Sequence, residues 1–257
     1  PNPKWRDRRR EEHCRVAPGH FSGRPDQLTQ LCAADASRPP MTIRELPLFP
    51  LQSVLFPGTS LPLHIFEQRY QEMVGRCLED GSPLGVVLIK EGGEVGEPAV
   101  PHAVGTTARI VETTVLADSR INIVTRGERR FRIVSIVRKQ PYMTALIEEI
   151  AENDDREDPV DPTLVSAVRE AYVDCVRSLV ALQGGWLGNV ETPNDARELS
   201  YFIPGTAEFE LITKQQILEI PLTSPRLERE LEVLQRARTR IRRDLGERNP
   251  ISGARLN

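Results

Sequence analysis

Between residues 43 and 150 apolar residues recur mainly at every second position; beyond 163 they recur at every third or fourth. The first period is that of half-buried strands and the second that of helices packed along one face. PLGVVLIK at 83–90 is a continuous apolar run and predicts a buried strand. ARIVETTVL (108–116), INIVTRG (121–127), RRFRIVSIV (129–137) and YMTALIEEI (142–150) predict four more. The glycine-rich EGGEVGEP at 91–98 reads as a loop and ADSR at 117–120 as a turn. Short strands with turn residues between them predict a small barrel or a curled mixed sheet. One helix interrupts this region: in FEQRYQEMVGRCLEDG (66–81), Phe66, Tyr70, Met73, Val74, Cys77 and Leu78 make a single apolar stripe. Gly81 follows its last turn, where a left-handed C-cap is cheap.

The change of period falls at an acidic, proline-punctuated linker, AENDDREDPVDP (151–162). Asp161-Pro162 is an N-cap followed by proline at the first helical position. The helix after it buries Leu164, Val165, Val168, Ala171, Tyr172, Cys175, Val176, Leu179 and Leu182, and Gly184-Gly185 stops it. A second helix is predicted at 194–203, a third within 206–218, and a long last one after Ser224-Pro225. That last helix has an inner face of Leu227, Leu231, Leu234, Ala237, Ile241 and Leu245. The same stripe offers a seam for a second copy, so a homodimer through the last helix is an expectation. The chain thus reads as α+β: a β subdomain at 41–150, the linker at 151–162, a helical subdomain at 163–248 and a tail at 249–257. Residues 1–40 are rich in Arg, Pro, Ser and Ala without apolar period, and predict a disordered extension. Met41 is read as the natural start and the residues before it as upstream or non-native sequence.

The stretch LPLFPLQSVLFPGTSLPLHIFEQRY (46–70) holds four prolines, three phenylalanines and six leucines. Proline lacks the N–H that a central strand needs, so this piece is predicted at a sheet edge or barrel rim. Its order, followed by GVVL, ARI, IVTRGERRFRI and PY, resembles the Lon N-terminal domain family, the module that precedes the ATPase in Lon proteases. The resemblance runs from about Leu46 to about Leu234. It implies a PUA-like β pseudo-barrel with one inserted helix, then a C-terminal helical bundle with one long last helix. It also implies a stand-alone, non-catalytic module that recognises unfolded or damaged protein segments or a specific partner protein, with the cytoplasm and protein quality control as its setting. No Gly-Lys pair occurs in the chain, so the phosphate-binding loop of an ATPase is not expected, nor is a serine–lysine protease dyad.

Composition changes this picture little. Hydrophobic residues make up 39% and charged residues 28% of the 257, with a net charge of −3. No run of about 18 apolar residues suggests a membrane span. Cys14, Cys32, Cys77 and Cys175 show no close pairing, and the last two are read as buried thiols in a reducing compartment. His13, Cys14, His20 and Cys32 match no zinc spacing, and no metal or cofactor is expected. The candidate apolar binding surface is Phe49, Phe56, Phe66 and Tyr70 on proline-stiffened backbone, which would lose little entropy on binding. His64, Glu67 and Arg69 are its candidate polar contacts. A hydrolase would need a nucleophile in reach of His64, and none is identifiable. Arg126, Arg129, Arg130 and Arg132 raise RNA binding as the alternative. Against it, Glu228, Glu230, Glu232, Asp244 and Glu247 interleave the arginines of the last helix, which no aromatic residue accompanies, so nucleic acid is not the expected partner.

Overall fold

The computed structural model describes residues 43–94, 99–116, 120–152 and 159–248, without the side chains of 242 and 244–248. The expected N-terminal extension, the C-terminal tail, most of the acidic linker and the side chain of Leu245 lie outside these residues. Within them a seven-stranded mixed sheet is joined to five helices. The strands are β1 (Ile43–Leu51), β2 (Ser60–Ile65), β3 (Leu84–Glu91), β4 (Val100–Pro101), β5 (Val104–Val115), β6 (Ile121–Arg138) and β7 (Thr144–Glu149). The helices are α1 (Gln68–Asp80), α2 (Pro162–Leu182), α3 (Ala196–Thr206), α4 (Leu211–Glu219) and α5 (Thr223–Arg248). Pairings run β1–β7–β6–β5–β3, and β3 pairs back to β1 in parallel. β2 hangs outside this circuit, paired antiparallel to β6.

The prolines of β1 fit because the strand changes neighbours along its length. Residues 43–47 pair with β7 and residues 48–51 with β3. The Leu48 amide donates to the Met143 carbonyl at 2.8 Å, so the backbones of 44, 46 and 48 turn toward β7 and those of 47, 49 and 51 toward β3. Pro47 therefore turns toward β3 one residue before that pairing starts. Pro50 turns toward the side that β7 has already left. Neither ring removes a ladder bond.

Two differences from the sequence reading concern β6. The segments 121–127 and 129–137 are one strand, continuous through Gly127 and Glu128. The cluster of arginines is also split: Arg129 and Arg132 are exposed, whereas Arg130 is fully buried. Its guanidinium donates to the carbonyls of Leu218 (3.0 Å), Ile220 (2.6 Å) and Pro221 (3.1 Å), where α4 ends, and to the Glu152 carboxylate at 2.9 and 3.2 Å. Arg226 reaches the Ile220 and Pro221 carbonyls from the other side, at 3.1 and 3.2 Å. The last carbonyls of a helix have no partner within it and carry partial negative charge, so two guanidinia there satisfy both deficits. The Tyr201 ring lies within 4.3 Å of Arg226 and 5.6 Å of Arg130, and its hydroxyl donates to Glu152 at 2.7 Å. This polar knot and an apolar cluster of Val54, Phe56, Leu88 and Val104 with Tyr201, Ile217 and Leu218 join the sheet to the helices.

Asp161 caps α2 as expected, accepting the Thr163 amide at 2.8 Å. The predicted second helix continues past Pro204 to Thr206. On α5, Leu227 and Leu234 are buried, and Leu231 and Ala237 half-buried, in a cluster that includes Val168, Ala171 and Tyr172 of α2 and Leu199 of α3. Helices of the same chain therefore cover the Leu227 to Ala237 part of the stripe expected to seat a second copy.

Glu230, expected on a solvated face, is fully buried in α5, and neither carboxylate oxygen has a hydrogen-bond partner. Burial pushes its carboxyl well above the usual range, and Arg226 opposes this in part. An acid raised in this way binds its proton in the folded state and loses it on unfolding, so its contribution to stability falls as pH rises through the gap. Glu230→Met is expected to raise stability by about 1–3 kcal/mol at pH 8. Urea titrations at pH 8 and pH 5 check this: the gain should shrink at the lower pH.

Candidate functional site

The motif at 46–70 folds around one cleft of about 290 Å³. The end of β1 contributes Phe49 and Leu51, β2 contributes Leu61 to Ile65, and the start of α1 contributes Glu67 and Tyr70. Leu61 and Leu63 pack inward because the period-two alternation of β2 turns them toward the apolar cluster beneath α1. Phe49 and Tyr70 form the floor, their ring centroids 4.2 Å apart. Both are buried in that cluster, so each presents only an edge to the cleft. Phe66 stands above them, 52% exposed, with its ring stacked beside His64 at 6.1 Å.

Phe56 does not belong to this surface. It is 0% exposed and packs in the seam with α3 and α4, because residues 52–59 carry it out of the strand alternation and under Gly127. The structure thus brings Phe49, Phe66 and Tyr70 together and sends Phe56 into the core.

The polar candidates frame the cleft. Glu67 precedes α1, and its carboxylate accepts from Arg69 at 3.0 Å instead of capping the helix. The Arg69 guanidinium also donates to the Glu94 carbonyl at 3.1 Å and lies 4.5 Å over the Tyr70 ring. It pins the 91–94 segment beside α1 and braces the aromatic floor. The Glu94 carboxylate accepts the Gln52 amide. Burial, first, and the carboxylates of Glu67 and Glu94 raise the Tyr70 phenol above its ordinary range, while Arg69 opposes them. Tyr70 is neutral at physiological pH. His64 Nδ1 lies 2.6 Å from the Asn122 side-chain oxygen, which can only accept, so Nδ1 donates. That ring nitrogen thus bonds an amide across the β2–β6 ladder. Leu51, Ser53, Leu61, Pro62, Leu63, Ile65 and Glu94 line the cleft but were not predicted for the site. Leu51 lies inside the motif, but Glu94 comes from a loop that carries no sequence signal.

Other features compare less well. A second cleft of about 420 Å³ lies between residues 57–59, β6 and α3, and charges of both signs, Arg126, Glu128, Arg197 and Glu198, line it. The arginines of β6 make no continuous track: Arg129 pairs with Glu149, and Glu128 takes Arg109 at 2.6 Å. Among the described residues no group of three or more His, Cys, Asp or Glu could hold a metal ion, and no helix is long and apolar enough to cross a membrane.

Comparison with known proteins places these features. The family of the ATP-dependent protease La (LON) substrate-binding domain matches residues 45–236. The chain is 27% identical to the Lon protease of Anaeromyxobacter dehalogenans over 213 residues, covering 80% of this chain and 25% of that protein. It is 31% identical to Lon protease 2 of Sorangium cellulosum over 202 residues, covering 74% and 25%. It therefore spans about a quarter of the length of these relatives. Among solved structures, the Lon N-terminal domain protein of Xanthomonas campestris is 28% identical with a TM-score of 0.57, covering 74% of this chain and 98% of that one. The N-terminal domain of the Mycobacterium avium complex Lon protease shares the fold, at 16% identity and a TM-score of 0.54 over 76% and 98% of the two chains.

Proposed function

The chain belongs to the Lon substrate-binding domain family, and from that premise we propose that it binds apolar segments of unfolded or damaged polypeptides in the cleft beside β2. The observation that carries this reading is the arrangement of the cleft. An exposed phenylalanine stands over a floor of buried rings, on strands whose prolines already fix the backbone. A preformed apolar site pays little ordering entropy when it closes on a ligand. We read the role as non-catalytic: Glu67 and Arg69 pair with each other, and Arg69 lies over the Tyr70 ring and braces the aromatic floor. The circuit of pairings from β1 back to β1 supports reading the sheet as a pseudo-barrel beneath this rim. We place this activity in cytoplasmic protein quality control.

The test is fluorescence anisotropy with a labelled, reduced and alkylated globular protein as the unfolded probe and the same protein in native form as the control. The full chain is expected to bind the unfolded form in preference. Phe66→Ser is expected to weaken that binding about tenfold, as loss of a central aromatic contact does. Because Phe66 is half exposed, Tm should stay within about 2 °C of the parent, as for most surface changes. Equal binding of both forms of the probe, or undiminished binding by Phe66→Ser, would count against the proposal.

A further inference from the structure

The cleft runs along a sheet edge that, among the described residues, no other strand covers: β2 pairs there with β6 alone. The Gly127 amide donates to the Thr59 carbonyl at 2.9 Å, which sets the parity of this ladder. Leu61, Leu63 and Ile65 therefore turn their backbone groups toward Thr125, Ile123 and Ile121, opposite them in register. Ser60, Pro62 and His64 turn theirs outward. The Thr125 hydroxyl donates to the Leu61 carbonyl at 3.0 Å, in keeping with this parity. Pro62 is thus set where its missing N–H takes nothing from the ladder. The free edge offers the carbonyls of Ser60, Pro62 and His64 and the amides of Ser60 and His64. An extended chain laid there would be bonded through its backbone while alternate side chains entered the cleft. The proline lowers the tendency of this edge to pair with a long flat strand, such as another copy of itself.

Charge selects among such chains. Among the described residues Glu67 and Glu94 are the acids that line the cleft, and the nearest guanidinium, Arg69, braces its rim without lining it. Arg69 compensates Glu67, at 2.9 Å. Its bond to residue 94 goes to the carbonyl, and the Glu94 carboxylate takes the Gln52 amide instead, so its negative charge is left for a ligand. Resting on the reading above, we propose that the ligand adds to β2 as an extra strand. An aromatic or leucine side chain would enter the cleft, and a lysine or arginine would lie beside Glu94.

The experiment uses the full chain and labelled nine-residue peptides with a central phenylalanine, serines around it and a lysine at each end. Two further versions are N-methylated on alternate amides, one on the even set and one on the odd. Methylation removes the backbone donor without changing the side chains. One set is expected to lose binding about tenfold and the other to change less than about twofold. Replacing the lysines with glutamates should cost about tenfold at low salt. Glu94→Gln, which keeps an oxygen for the Gln52 amide, should remove most of that difference. Equal losses from both methylation sets would overturn strand addition while leaving the apolar cleft standing. Lysine and glutamate peptides of equal affinity would overturn the charge preference. Peptide binding untouched by Phe66→Ser would sink the cleft reading itself.

Discussion

Arg130→Ala is expected to destabilise the protein by about 3–5 kcal/mol, because it removes one partner of a buried charge network and strands the rest. Among the described residues Glu152 would keep the Tyr201 hydroxyl, the Ile220 and Pro221 carbonyls would depend on Arg226, and the Leu218 carbonyl would lose its guanidinium donor. Arg130→Lys should recover little, since one ammonium cannot reach the carboxylate and three carbonyls that the planar guanidinium spans. In a domain of this size the loss corresponds to a Tm lower by roughly 6–20 °C, read by calorimetry. Arg129→Ala is the control. Its side chain is exposed and pairs only with Glu149, so its effect should stay within about 0.5 kcal/mol.

Replacing Gly127 with alanine is the second large expectation, and it is purely steric. A Cβ there would sit 2.3 Å from the Phe56 carbonyl oxygen and 3.2 Å from Leu55 Cγ. The obstacle is backbone and cannot swing aside. The Gly58 amide donates to the Gly127 carbonyl, the Gly127 amide to Thr59, and the Thr106 hydroxyl holds the Leu55 carbonyl at 2.6 Å. Relief needs the 55–59 turn to lift off β6, at a cost of about 1–3 kcal/mol or more. Because that turn leads into β2, binding of an unfolded probe should weaken along with stability. Gly75→Ala in α1 is the counterpart: its Cβ would meet nothing within 4 Å, so the helix should gain about 0.5–1 kcal/mol. Urea denaturation of both variants checks that the same substitution has opposite signs at the two sites.

These two sites also mark what could be read from sequence. The cap at Asp161-Pro162, the run of β3 and the Tyr70, Met73, Val74 and Cys77 face of α1 were legible because each depends on residues close together in the chain, whereas Phe66, ahead of the helix, and Leu78 of the predicted stripe are exposed. Leu61 and Leu63 were legible too, because their alternation survives folding. Arg130 was not. Its burial depends on carbonyls near 220, some ninety residues later, and a charged residue among arginines reads as exposed. Glu230 misled for the same reason, since its neighbours in sequence are solvated while its environment is set by packing of the helices. Phe56 failed differently: it lies between strands, where no period says which way a side chain turns. The predicted break between the strands at 121–127 and 129–137 does not exist, and Gly127 lies inside one continuous strand. The glycine is there because another turn rests on it. The lining of the cleft follows the sequence pattern where it lies on β2 and α1, and departs from it where Glu94 approaches from a loop.

A photoreactive side chain tests the cleft most directly. With p-benzoylphenylalanine in place of Phe66, illumination should join the full chain to a reduced, alkylated globular protein, and excess unlabelled unfolded chain should abolish the product. The same group in place of Val134, 51% exposed on the far part of β6, should give little or none. Comparable yields from the two positions, or no product from position 66 while the probe remains bound, would contradict a binding cleft beside β2.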